Sequence, residues 1–172
     1  MPAGYCIFLC GILLICPANN RTDYEIQEGT SAYYMRPIKN SKEYAAVFLT
    51  GAAVYSLIEI LWRGRTHWTM AVTGGICMLL IHRCNERHSN LDLLGRCSLC
   101  SFYITGVEFA VGCLLNLRLN MMVWDYSDRY LNVMGQICPE YWAYWYLLSI
   151  PAIMLSTIVL AVRKATGGEV NF

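Results

Sequence analysis

Ser98-Leu-Cys-Ser-Phe-Tyr-Ile-Thr-Gly-Val-Glu-Phe-Ala-Val-Gly-Cys-Leu-Leu-Asn-Leu117 is the stretch that decides the fold. It is almost wholly apolar and long enough to cross a bilayer as a helix, and its one ionisable side chain is Glu108. Tyr44–Trp62 has the same character, with Glu59 as its single charge. A carboxylate at the centre of a span costs about 2.5–3.5 kcal/mol on insertion scales, so it is tolerated where it has a partner or faces water. The two glutamates therefore point to where anything specific happens, and both are expected to face the bundle interior.

The rest of the composition agrees with a membrane setting. Of 172 residues, 56% are hydrophobic and 15% charged, against about a quarter charged in soluble domains. The apolar residues come in blocks and not on one face of a 3.6-residue period, which is the membrane pattern. Net charge is +1, so no strong field favours nucleic acid. The nine cysteines are an odd number, mostly in or beside apolar segments, which argues against a secreted disulfide framework.

Working outward gives an all-α, polytopic integral membrane protein with about four main hydrophobic helices. The spans are expected at about 44–62, 68–82, 98–117 and 141–162, inside a membrane domain 35–165, followed by a tail 166–172. The second is short, and Gly74-Gly75 in its middle permits either a close helix contact or a break. Pro151 is expected to kink the fourth. Leu119–Glu140 reads as an interfacial or re-entrant segment. Residues 1–34 read as a dispensable extension: a short apolar segment, 4–18, and a polar linker. Nine basic residues lie on one side of this topology and four on the other (Arg63, Arg65, Arg118 and Arg129). That bias places both ends of the 35–172 unit in the cytoplasm and the chain in the cell membrane as a multi-pass protein.

This topology gathers polar groups near the outer leaflet. Glu59 and Arg63 are spaced i, i+4 and can pair on one helix face. Arg65 and His67 follow in the first outer loop, and Glu108 lies in the outer half of the third span. The segment Trp124-Asp-Tyr-Ser-Asp-Arg129 precedes the fourth span on the same side. Asp125 is expected to pair with Arg63 or Arg65, with Arg129 as the local alternative. Trp124 and Tyr126 suit the headgroup boundary, and Asp125 and Ser127 suit a turn. Against a functional pocket stands the plainer alternative that Glu–Arg pairs hold helices together.

Cys84, His88, Cys97 and Cys100 are weak candidates for zinc; their spacing fits no common finger, and neither a metal nor a cofactor is expected. No GxSxG, HExxH or GxxxxGK[ST] motif occurs, so an enzyme is the less favoured class.

Trp124-Asp-Tyr-Ser127, Asn132, Gly135, Ile137-Cys138 and Trp145 together resemble the signature of the small bacterial membrane proteins called ABC-transporter permeases, type IV, or CmpB-like. Gly51 and Glu59 with the arginine after them, and Thr105-Gly-Val-Glu108-Phe, resemble that family's opening and middle helices. The resemblance covers roughly Tyr44–Val162. It implies a transport-associated, permease-like subunit that works with a separate ATPase subunit; four spans are few for one subunit, so transport would require a homo-oligomer. The polar residues gathered near the outer leaflet, Glu59, Arg63, Arg65, His67, Glu108, Trp124, Asp125, Tyr126, Ser127 and Asn132, are the substrate-path candidates. A membrane-embedded enzyme or sensor acting on lipid or envelope precursors, and a structural partner with no solute path, are the alternatives.

Overall fold

Each long apolar block forms a helix, and each helix runs past its apolar limits into polar end turns. The computed structural model describes residues 41–165, all within one unit, Asn40–Phe172. The extension 1–34, its stretch 4–18 and the tail 166–172 lie outside the described residues. In chain order the elements are α1 (Ser41–Arg63), α2 (Trp68–Arg87), α3 (Leu93–Gly112), a π-helical continuation (Cys113–Arg118) and α4 (Pro139–Ala165). Among the described residues there is no strand, only an isolated bridge between Val133 and Ile137.

The helix starts follow local chemistry. His67 caps α2 by accepting from the Thr69 N–H, and Asp92 caps α3 by accepting from the Gly95 N–H at 3.1 Å. Pro139 opens α4, where its missing N–H costs nothing. Farther on, α4 continues through Pro151 as one helix.

Among the described residues, three helical stretches are long and apolar enough to cross a membrane: Ser41–Arg63, Leu93–Arg118 and Pro139–Ala165. The expected fourth, α2, is not among them. It is 20 residues long, about 30 Å at 1.5 Å per residue, but its last two turns carry His82, Arg83, Asn85, Glu86 and Arg87. The physical reason is position. α2 packs against α1, α3 and α4, and Thr69, Thr73, His82 and Asn85 on it are all buried. A helix enclosed by its neighbours can be polar where a lipid-facing one cannot.

Burial differs from that of a soluble bundle in where the polar and the large apolar side chains fall. Glu43, Glu59, Ser101, Glu108, Ser149 and Ser156 are inside, while Leu49, Leu57, Leu61, Phe102, Leu147, Met154 and Ile158 are exposed. Apolar surface outside, with polar side chains enclosed beside an apolar core around Ile81, Ile104 and Ile153, is an arrangement a bilayer permits. The hydroxyls of Ser56, Thr73, Ser149 and Thr157 donate to carbonyls four residues back, which satisfies them without a partner helix.

Gly74-Gly75 makes a close contact and no break. A Cβ on Gly74 would collide with Tyr55 and lie 3.0 Å from the Gly51 carbonyl oxygen; one on Gly51 would collide with Met78 and lie 2.7 Å from the Gly74 carbonyl oxygen. The two glycines let the α1 and α2 backbones nearly touch.

Candidate functional site

At the end of the bundle where α1 ends and α2 begins, the residue order turns directly into geometry. Glu59 and Arg63, one turn apart on α1, form an ion pair at 3.1 Å. The same guanidinium donates to the Val123 carbonyl at 2.8 Å, so α1 holds the segment that follows α3. Glu59, Arg63, Arg65, Thr66, His67 and Met121–Val123 line an open cleft of about 220 Å³. Four of the residues expected from the sequence thus share one concavity.

Glu108 is buried, 6% exposed, and its partners are neutral. The Tyr126 hydroxyl donates to one carboxylate oxygen at 3.0 Å, and the Trp145 indole N–H donates to the other at 2.7 Å. Among the described residues it makes no ion pair. Tyr55, one turn before Glu59, stacks on Trp145 with ring centroids 5.9 Å apart. One ring contact therefore separates the α1 glutamate's helix from the α3 carboxylate.

The segment between α3 and α4 departs from expectation. Asp125 does not reach Arg63 or Arg65. It is exposed and accepts from the Ser127 N–H at 2.9 Å and the Ser127 hydroxyl at 2.5 Å. These bonds, the hydroxyl's first, hold its carboxyl below the ordinary carboxylate range. The local turn wins because a bond two residues away costs far less order than one between helices. Arg129 pairs instead with Glu140 at 3.2 Å and Asp128 at 3.6 Å.

Trp124 is not a boundary anchor. It is 4% exposed, with its indole N–H on the Gln136 carbonyl. Asn132 donates to the Ser127 and Arg129 carbonyls and accepts from the Gly135 N–H. Gly135 sits at φ +69°, and a Cβ there would lie 2.6 Å from the Ser127 hydroxyl. Trp124, Asp125, Ser127, Asn132 and Gly135 thus tie one loop to itself, and Tyr126 is the member that reaches into the bundle.

Asn116, which sequence reasoning did not single out, organises this loop from the π-helical turn. Its side chain donates to the Trp124 carbonyl and the Gln136 side chain, each at 2.9 Å, and accepts from the Val123 N–H. An amide near the end of an apolar block was the available signal.

The family model described as "Putative ABC-transporter type IV" matches residues 69–166. The chain belongs to this family. The match runs from the start of α2 through α4, so Glu108, the tied loop and Trp145 fall inside it, while Glu59 and Arg63 precede it. No curated protein and no solved structure matches the chain. As a member of the ABC-transporter type IV family with three span-like helices, it is a membrane protein.

The opposite end of this type IV protein holds a second polar cluster. Glu43 and His82 are both fully buried and 3.0 Å apart; the other His82 ring nitrogen lies 3.0 Å from the Ser156 hydroxyl. Arg163 pairs with Glu43 at 3.4 Å and Glu86 at 2.7 Å. Asn85 donates to Ser156 and Thr157 and accepts from Arg96. All four helices meet in this network. Beside it, Cys97 and Cys100 pack in the core with Cys84, and His88 ends α2. Among the described residues no group of three or more His, Cys, Asp or Glu is placed to hold a metal ion.

Proposed function

We propose that this chain is a multi-pass, transport-associated subunit of the cell membrane that works with a separate ATPase, and that Glu59, Arg63 and Glu108 border its polar path. Membership of the ABC-transporter type IV family supports the transport setting. The observation that carries the path is Glu108, a buried carboxylate whose donors are both neutral. A carboxylate offers about four acceptor sites, and Tyr126 and Trp145 occupy two. The remaining capacity, at membrane depth, suits a passing cation, proton or polar solute. Four helices enclose little space for a solute, so a homo-oligomer is part of the proposal.

The start of α1 and the end of α4 lie at the same bundle end, joined by Glu43 and Arg163 at 3.4 Å. The basic bias puts that end in the cytoplasm, where an ATPase would dock, and puts the Glu59–Arg63 cleft outside. Labelling of a single cysteine at position 170 from the outside alone would overturn this orientation.

The test of the function is purification of the tagged full chain from its native membrane in mild detergent, followed by mass spectrometry and ATP-hydrolysis assay. A stoichiometric ATPase subunit, with hydrolysis altered by Glu108→Gln, is the expected result. Absence of any nucleotide-hydrolysing partner, with Glu108→Gln indistinguishable from the parent, would overturn it.

A further inference from the structure

We infer that the cleft formed by the end of α1, the α1–α2 connection and Met121–Val123 is a binding site for a phosphate-type anion. The inference deepens the transport reading by naming a ligand class for the cleft, and it rests on that reading only for the ligand's fate. Charge comes first. Two guanidiniums, Arg63 and Arg65, and one carboxylate, Glu59, line the cleft, leaving one net positive charge with the histidine neutral. Glu59 and the Val123 carbonyl fix Arg63 in place yet use only two of its five N–H donors. Arg65 is exposed and makes no hydrogen bond or ion pair among the described residues. A fixed guanidinium beside an uncommitted one is the donor set that recognises phosphate through paired N–H groups.

His67 adds a polar ring atom. Its Nδ1 is taken up by Thr69, 2.7 Å from the hydroxyl and 3.4 Å from the N–H, which leaves Nε2 as the nitrogen open to a ligand. His67 is also the cap of α2, so the cleft lies against the N-terminus of a 20-residue helix, where the backbone field favours an anion. The volume, about 220 Å³, is below the roughly 300–1,000 Å³ of sites for drug-sized ligands. It has room for a small anion or a headgroup, not a whole lipid.

The surroundings add a second, independent observation. Trp62 is 72% exposed and Trp68 69%, and these two residues bracket the α1–α2 connection, with Leu61 and Met122 exposed near them. Exposed tryptophans at both ends of the connection that carries Arg65 and His67 place that connection at the headgroup level of a bilayer. A free phosphate and the phosphodiester of an anionic lipid present the same chemistry there.

The experiment uses the full chain in phosphatidylcholine nanodiscs. One arm titrates inorganic phosphate and reads tryptophan fluorescence, with Trp62 and Trp68 as the nearby reporters. The other replaces part of the lipid with phosphatidylglycerol and reads lipids retained on extraction by native mass spectrometry. Arg65→Gln is the test variant, because Arg65 is exposed and its loss should leave the fold intact, checked by an unchanged melting temperature. Arg129→Gln, outside the cleft, is the control. Loss of a charge-assisted bond predicts binding weaker by at least roughly tenfold in Arg65→Gln and unchanged in Arg129→Gln. A loss in the phosphate arm alone identifies a free anion; a loss in the lipid arm identifies a headgroup. No binding in either arm, or binding equal in the parent and Arg65→Gln, overturns the site. Both results are independent of whether an ATPase co-purifies.

Discussion

The Tyr126 hydroxyl lies 3.0 Å from a carboxylate oxygen of Glu108, joining the loop after α3 back to the middle of α3. The partner across the carboxylate, Trp145, comes from α4 and sits at 2.7 Å. Removing either donor leaves a buried acceptor short of a bond, which costs more than the bond's net worth. Tyr126→Phe should lower stability by about 1–3 kcal/mol. Trp145→Phe should cost more, because it also disturbs the stack with Tyr55. Thermal unfolding in one detergent, with the Tyr126→Phe and Glu108→Gln double-mutant cycle, measures the coupling; additive effects would deny that the bond matters.

The glycines at the α1–α2 crossing give a contrast within one residue type. Gly74→Ala places a methyl group against Tyr55 and the Gly51 carbonyl, and overpacking of this kind typically costs about 1–3 kcal/mol. Gly106 on α3 has nothing within 4 Å of a built Cβ, so Gly106→Ala should be neutral or stabilising by up to about 1 kcal/mol through helix propensity. Melting temperatures of the two variants should move in opposite directions, or at least differ clearly in size.

Much of this was legible in the sequence, and the misses have physical causes. Blocks of apolar residues located the three span-like helices among the described residues, and a lone carboxylate inside such a block cannot avoid finding a partner, so burial of Glu59 and Glu108 followed. The Glu59–Arg63 pair was fixed by helical spacing. Asp125 was misjudged because it carries the same charge whether it pairs across helices or bonds its own turn, and only the fold reveals that Ser127 is closer. Trp124 was assigned to the boundary because tryptophans near span ends usually sit there; its burial depends on Gln136, twelve residues away. Glu43 just precedes the first expected span and His82 closes the second, so nothing local marked them as partners 39 residues apart.

The loop after α3 should have an acid limit set by Asp125. Its carboxyl is held below the ordinary value of 3.8 by the Ser127 hydroxyl and N–H. A lowered value in the folded state means the bonds favour the charged form, so their contribution is present above the unfolded value and lost as pH falls through the folded one. Protease resistance of residues 119–138 should therefore persist just below pH 3.8 and fail at still lower pH. Asp125→Asn should remove that acid transition, while Gly135→Ala, strained at φ +69°, should expose the loop at every pH.

The buried pair at the far end makes the largest stability claim. Glu43 and His82 are fully enclosed, and Arg163 approaches the same Glu43 oxygen at 3.4 Å. Because α1, α2 and α4 contribute one group each, losing the carboxylate leaves both a histidine and an arginine facing a neutral site in the interior. Breaking a buried pair by removing one partner costs about 3–5 kcal/mol, while an exposed pair contributes about 0–1 kcal/mol. Glu43→Gln should thus sharply lower the melting temperature and the yield of folded protein. Arg129→Gln, which removes the exposed pair with Glu140, should change neither. Should Glu43→Gln fail to fold, His82→Gln supplies the second reading, since an amide can still donate toward Glu43 and should retain part of the stability. A Glu43→Gln protein as stable as the parent would mean the network is dispensable, and the meeting of four helices there would then rest on apolar packing around Ile81 and Ile153.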